Sequence, residues 1–149
     1  METQIAKENT VVNEKVVYTG VTRTTGGRDG GTSKSTDGNL DIKLSVPGSG
    51  RPGTNPEQLF AAGWSACFIG AMKITASKMK VKFPEDGAVD TEVDLVSTSE
   101  GYALRARLNV NLPGLDKATA NALAANAHQI CPYSKATRGN IEVVINVRA

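Results

Sequence analysis

The stretch Thr54–Lys73, TNPEQLFAAGWSACFIGAMK, limits what this chain can fold into. It opens as a helix start: Thr54 or Asn55 can cap, Pro56 suits the first helical position, and Glu57 complements the positive end of the helix dipole. From Leu59 to Met72 no charge appears, and apolar or small residues occupy every face. A helix without a polar face must be covered on nearly all sides. The pattern predicts a helix from about Asn55 to about Lys80, with Lys73, Lys78 and Lys80 towards the negative end of its dipole. Cys67, one of only two cysteines, sits in its middle.

The flanking segments indicate what can cover it. Residues Met1–Glu14 are polar and aperiodic, and read as an N-terminal extension (1–14) of a single domain spanning residues 1–149. Strands are predicted over Lys15–Thr24, Thr32–Ser35 and Leu40–Val46, separated by the turn cluster Gly26–Gly31 and the hairpin signal Asp37-Gly38. Pro47–Gly53, PGSGRPG, is a loop by composition. Beyond the helix, Phe83–Gly87 breaks the pattern, and Val89–Leu95 and Tyr102–Val110 alternate as strands joined around Ser99–Gly101. Asp116 caps a second helix, Lys117–Ile130, with Ala118, Ala122, Leu123, Ala125, Ala127 and Ile130 as packing positions. Pro132 ends it directly after Cys131. Ile141–Val147 is the last strand. The order βββαββαβ, with hairpin-linked strands, places the chain in the α+β class with largely antiparallel sheets. One small sheet covers only one side of the first helix, so a second copy of the chain, in a homodimer, is expected to cover the other.

Composition excludes several functions. The formal net charge is +2 with no basic stripe, and three Tyr, three Phe and one Trp leave no stacking platform, so no nucleic acid partner is expected. The run Leu59–Met72 is too short and too rich in Ala, Gly and Ser to span a membrane, and no membrane partner is expected. Polar residues follow Met1 without an apolar segment, which points to the cytoplasm. There a paired thiol is redox-active more often than structural.

Read alone, Cys67 is an inert core thiol. Cys131 differs: it lies in CPYS at a forced helix end, where a thiol can reposition. Together the two can act as an attacking thiol, oxidised to sulfenic acid, and a resolving thiol that condenses with it. A thiolate in a dry site needs a cation. Arg23, Arg28, Arg51 and Arg138 are the candidates. Arg28 is the most suggestive, because Gly26, Gly27, Gly30 and Gly31 allow close backbone approach, although each arginine is by default an exposed surface residue. Glu57 can orient such an arginine through a carboxylate–guanidinium pair. Yet Glu57 and Cys67 are ten residues apart, about 15 Å along a continuous helix. They share a site only if the helix breaks, for instance at Gly63, or if the partner chain supplies Glu57, which is the favoured solution. Cys67, His128 and Cys131 make at most three metal ligands without supporting spacing, so no metal is expected and His128 reads as a helix-face residue with a satisfied ring. Tyr133 and Trp64 read first as packing residues; Trp64, with Phe68 beside Cys67, can also line an apolar substrate pocket.

TGGRDG (Thr25–Gly30), LDIKLS (Leu40–Ser45), TNPEQLFAAGWSACFIGAMK, NLPGL (Asn111–Leu115) and AHQICPYSKATRGNI (Ala127–Ile141) together resemble the organic hydroperoxide resistance branch of the OsmC/Ohr superfamily. The resemblance covers about Val16–Val147. It implies an OsmC-like intertwined homodimer, with sheets from both chains around long central helices, and thiol-dependent reduction of organic hydroperoxides to alcohols. Cys67 would be the peroxidatic cysteine, Cys131 the resolving cysteine, and Arg28 and Glu57 the activating pair. The resemblance implies no bound cofactor; a dihydrolipoyl group on a lipoylated protein would be the external reductant. The chain departs from the family pattern in its longer N-terminal extension, in the short loop Pro47–Gly53 carrying Arg51, and in Trp64 where tyrosine is expected. Two other readings remain compatible with the same fold: a non-enzymatic module holding an apolar ligand, and a thiol redox sensor.

Overall fold

The computed structural model describes residues 1–8 and 13–149; residues 9–12, part of the expected extension, lie outside the described residues. Its elements are β1 (Thr22–Thr25), β2 (Thr32–Ser35), β3 (Asp41–Lys43), α1 (Pro56–Met79), β4 (Ala88–Thr98), β5 (Gly101–Asn111), α2 (Lys117–Ile130), α3 (Pro132–Thr137) and β6 (Glu142–Arg148). The order matches the expected βββαββαβ with one addition, the short helix α3.

The strands form two three-stranded sheets, β1-β2-β3 and β4-β5-β6. Three of the four pairings are antiparallel hairpins. The fourth, β5 with β6, is parallel. A parallel neighbour cannot be reached by a tight turn, so the chain crosses over through α2 and α3. Within the second sheet, β4 and β5 pair over their full length from Ala88↔Asn111 to Thr98↔Gly101.

One face of β4-β5-β6 carries the core. Ala106, Leu108 and Val110 of β5 are buried with Trp64, Phe68, Met72 and Ala76 of α1 and Ala120, Leu123, Ala124 and Ala127 of α2. The opposite face is polar: Arg105 and Arg107 pair with Asp94, and Arg107 with Glu92. On α2 the buried face is Ala120, Leu123, Ala124 and Ala127, whereas the expected packing positions Ala118 and Ala125 are exposed and Ile130 is at the surface. Its alanines, Ala118, Ala120, Ala122, Ala124, Ala125 and Ala127, fall on all sides of the helix, so only its contacts decide which face turns inward.

Helix α1 is a continuous 24-residue rod, about 36 Å long. Asn55 rather than Thr54 is its cap, accepting from the Gln58 N–H at 2.9 Å. By length and composition alone the helix could cross a membrane, which the apolar run Leu59–Met72 did not suggest; only 33% of its most apolar window is buried in the single chain. Ala62, Ala66, Gly70 and Ile74 lie on the uncovered side. The first sheet is likewise thinly covered. Residues 15–21, expected as the start of a strand, lie outside β1, with Val16, Val17 and Tyr18 exposed.

Leu108 lies at the centre of β5 with no exposed surface. Leu108→Ala should lower the unfolding free energy by about 2–5 kcal/mol, through lost transfer energy and a residual cavity, as read from urea denaturation.

Candidate active site

Cys67 is on the α1 face turned towards the α2–α3 junction, half-buried, while Cys131 is fully buried. Both thiols are free. Cys131 ends α2 and begins α3, in an extended conformation (φ −61°, ψ 123°). Its N–H closes the last turn of α2 on the Ala127 carbonyl at 2.8 Å, and its carbonyl accepts from the Lys135 N–H at 2.9 Å to open α3. Pro132 therefore does more than stop a helix. It breaks the chain for one residue and restarts it in a new direction, with proline at a first-turn position where no N–H is missed.

This break aims the start of α3 at α1. The Cys131 side chain and the Tyr133 backbone N–H are the groups facing the Cys67 thiol. Burial pushes the Cys67 thiol up from its ordinary range and the neighbouring Cys131 adds to this; the Tyr133 N–H, which favours a thiolate, works the other way. No cation contributes. As it stands in one chain, the site favours the neutral thiol.

The packing under the two cysteines is aromatic. Trp64 is fully buried and its Nε1 donates to Ser134 Oγ at 3.3 Å, tying α1 to α3. Phe60 stands edge-on to both Trp64 and Tyr133, at 5.6 and 6.2 Å between ring centroids. Gly63 makes room for Tyr133: a Cβ there would lie 2.8 Å from the phenol oxygen. Phe68 is also fully buried in the core. Neither Trp64 nor Phe68 lines the cavity at Arg28 and Glu57 or the one beside Tyr133; both are packed in the core to which Cys67 and Cys131 belong.

Arg28 and Glu57 are brought together. Arg28 Nη2 donates to Glu57 Oε1 at 2.5 Å, with the Glu57 side chain 15% exposed. The pair lines a cavity of about 510 Å³ with Val46, Pro47, Gln58, Ala61 and Thr91. Both members belong to the same chain, and α1 is unbroken at Gly63, so the rise of ten residues to Cys67, about 15 Å, stands. The other candidate arginines are engaged elsewhere or remote. Arg51 pairs with Asp29. Arg138 Nη2 donates to the His128 carbonyl at 2.5 Å, across the α2–α3 junction. Arg23 lies on the exposed strand β1.

His128 does not have the satisfied ring expected for it: its Nδ1 is buried without a hydrogen-bond partner. Burial, with the Arg138 charge second, lowers its pKa and keeps the ring neutral. Among the described residues no cluster of His, Cys, Asp or Glu could hold a metal ion. The roles of the Tyr133 N–H, Ser134 and Gly63 were not legible beforehand. The one signal was Pro132, whose helix restart leaves first-turn N–H groups without helical partners.

A second cavity, about 420 Å³, opens beside Tyr133 and is lined by Phe60, Leu104, Pro132, Ala136 and Ile141, with Asn140 and Thr137. Because Cys131 raises the Cys67 pKa, Cys131→Ala should shift the pH profile of Cys67 alkylation to lower pH, measured by iodoacetamide incorporation. The sign follows from removing a neighbour that disfavours the thiolate.

Residues 46–146 match the OsmC-like protein family. The chain is 49% identical over 138 residues to an organic hydroperoxide resistance protein of Xanthomonas axonopodis pv. citri, covering 90% of this chain and 96% of that one. It is 39% identical to the organic hydroperoxide resistance protein OhrB of Bacillus subtilis, covering 89% and 98%. In structure it is similar to an organic hydroperoxide resistance protein from Legionella pneumophila, with a TM-score of 0.84, 42% identity, and coverage of 91% and 100%. With two free thiols apposed at a helix break on this fold, the chain belongs to the OsmC-like family and, within it, to the organic hydroperoxide resistance proteins.

Proposed function

We propose that the protein is a thiol-dependent peroxidase that reduces alkyl and lipid hydroperoxides to alcohols. The observation that carries this reading is the apposition of Cys67 and Cys131, both reduced, at a junction where the backbone is already broken. Family membership supports organic hydroperoxides as the class of substrate, and the apolar surroundings of α1 favour them over hydrogen peroxide.

The chemistry balances with these two residues. The Cys67 thiolate attacks the distal peroxide oxygen; the O–O bond breaks and the alkoxide takes a proton and leaves as the alcohol. Cys67 is now a sulfenic acid. The Cys131 thiolate attacks its sulfur, the S–O bond breaks, and water leaves after proton transfer. A dithiol of the dihydrolipoyl type then reduces the Cys67–Cys131 disulfide by exchange, becoming oxidised itself. No bound cofactor takes part.

Two features support a homodimer as the working form. The stripe Ala62, Ala66, Gly70 and Ile74 leaves one side of α1 uncovered; the first three are small enough for a second helix to approach closely, and Ile74 offers exposed apolar surface. The Cys67 site also lacks a cation, while a cation–carboxylate pair stands one cavity away at the wrong height on the same rod. A second copy of α1 crossing the first in antiparallel sense brings Arg28 and Glu57 of the partner subunit towards Cys67. The guanidinium then supplies the opposite charge that lowers the thiol pKa, and the carboxylate holds it in direction.

Cys67→Ser should abolish consumption of cumene hydroperoxide in the presence of dihydrolipoamide; retained turnover would refute the assignment. Cys131→Ser should still reduce one equivalent of peroxide per Cys67 and then fail to cycle with dihydrolipoamide. Arg28→Ala should move the alkylation profile of Cys67 to higher pH and slow peroxide reduction at neutral pH by about tenfold or more, one pKa unit being worth about 1.4 kcal/mol. An unchanged profile rejects Arg28 as the activating cation.

A further inference from the structure

Arg28 and Glu57 come from segments 29 residues apart, and one short piece of backbone registers both. The end of β3 is that strut. The Leu44 carbonyl accepts from the Gly30 N–H at 3.0 Å, and the Leu44 N–H donates to the Gly31 carbonyl at 2.8 Å, which seats the turn carrying Arg28. On its other side, the Ser45 N–H donates to the Thr54 carbonyl at 2.9 Å and the Thr54 N–H to the Lys43 carbonyl at 2.9 Å, which seats the start of α1. Both approaches are too close for a side chain. A Cβ on Gly31 would lie 2.2 Å from the Gly27 carbonyl oxygen, and one on Gly53 would lie 2.9 Å from Leu44 backbone.

The strut places the backbone of the turn but does not choose where the Arg28 side chain points. Asp29 follows Arg28 directly, so a contact that holds Asp29 also fixes the turn residue beside it. The loop 47–53 supplies that contact: Arg51 Nη2 donates to Asp29 Oδ1, and its Nη1 lies 3.6 Å from where a Gly30 Cβ would stand. The pair is solvent-exposed, with side chains 57% and 62% accessible, so it contributes little to overall stability. Its consequence is directional.

We propose that Arg51 is a positioning residue: by engaging Asp29 it clasps the short loop 47–53 onto the Gly26–Gly31 turn and holds Arg28 towards Glu57. This rests on the reading of Arg28 as the cation for Cys67. The clasp gives Arg51 a role in the reaction without contact with the thiols.

The test compares Arg51→Ala, Arg51→Lys, Asp29→Asn, the Arg51→Ala/Asp29→Asn double variant and Arg28→Ala in the full-length protein. The readouts are the pH profile of Cys67 alkylation and cumene hydroperoxide consumption with dihydrolipoamide. The field of the charges alone would move the two single variants in opposite directions, because Arg51→Ala removes a positive charge and Asp29→Asn a negative one. Positioning moves Arg51→Ala to higher pH, slows consumption by roughly two- to fivefold, the range of an exposed pair, and makes Arg51→Lys recover most of the loss. Asp29→Asn, which keeps a hydrogen-bonding side chain but loses the ion pair, shifts the profile the same way, and the double variant is no worse than Arg51→Ala. Opposite shifts, or an unchanged Arg51→Ala beside a shifted Arg28→Ala, overturn the proposal and leave Arg28 in its role. An unchanged Arg28→Ala overturns the reading on which it rests.

Discussion

An α-helix rises about 1.5 Å per residue, and an unbroken one offers no means of bringing its own distant residues together. That constraint organises the molecule. Glu57 stands in the first turn of α1 and Cys67 in its middle, on a rod that runs without interruption from Pro56 to Met79. Everything placed at the first turn, including Arg28 and the strut at Leu44, is separated from everything placed at the middle, including Cys131 and the start of α3. One chain therefore holds two half-sites: a thiol pair lacking a cation, and a cation–carboxylate pair lacking a thiol. The uncovered side of α1 between them is where a second copy resolves the separation in the proposed dimer.

The thiol half depends on a different backbone event. Cys131 is a single extended residue between two helices, and its N–H and carbonyl each serve one of them. A residue in that position is held at both ends and buried, yet its φ and ψ belong to neither helix. Disulfide formation needs the two Cα atoms within about 7 Å and the side chains directed at each other. In the proposed peroxidase, a resolving thiol at this one-residue break, instead of within a helix, meets that geometry by torsional change without unwinding α2. Trp64 and Ser134 brace the α1–α3 contact close by.

Much of this was legible in the sequence, for identifiable reasons. The hairpins around Asp37-Gly38 and Ser99–Gly101 rest on local turn chemistry, and α1 and α2 rest on caps, Asn55 and Asp116, that bond within their own first turns. What failed depended on neighbours. The buried face of α2 could not be read from alanines spread around the whole helix. Helix α3 was missed because Pro132, read as a terminator, is equally suited to begin a helix. Residues 15–21 look like a strand by composition, but a strand needs a partner edge, and the single chain does not provide one along that stretch.

The sequence by itself determined the fold class, the single apolar helix, the break after Cys131, and the two thiols and the Arg28–Glu57 pair as the groups to watch. The fold class, the helix and the break follow from local propensity and capping; the two thiols and the Arg28–Glu57 pair stood out through the segments that resemble the OsmC/Ohr superfamily. Only the tertiary structure decided that Cys131 and the Tyr133 N–H face Cys67, that Arg28 finds Glu57 within its own chain, and that Arg51 is committed to Asp29. The reason is physical: contacts between residues 22 to 66 positions apart are set by how sheets and helices pack, and no local preference along the chain encodes them.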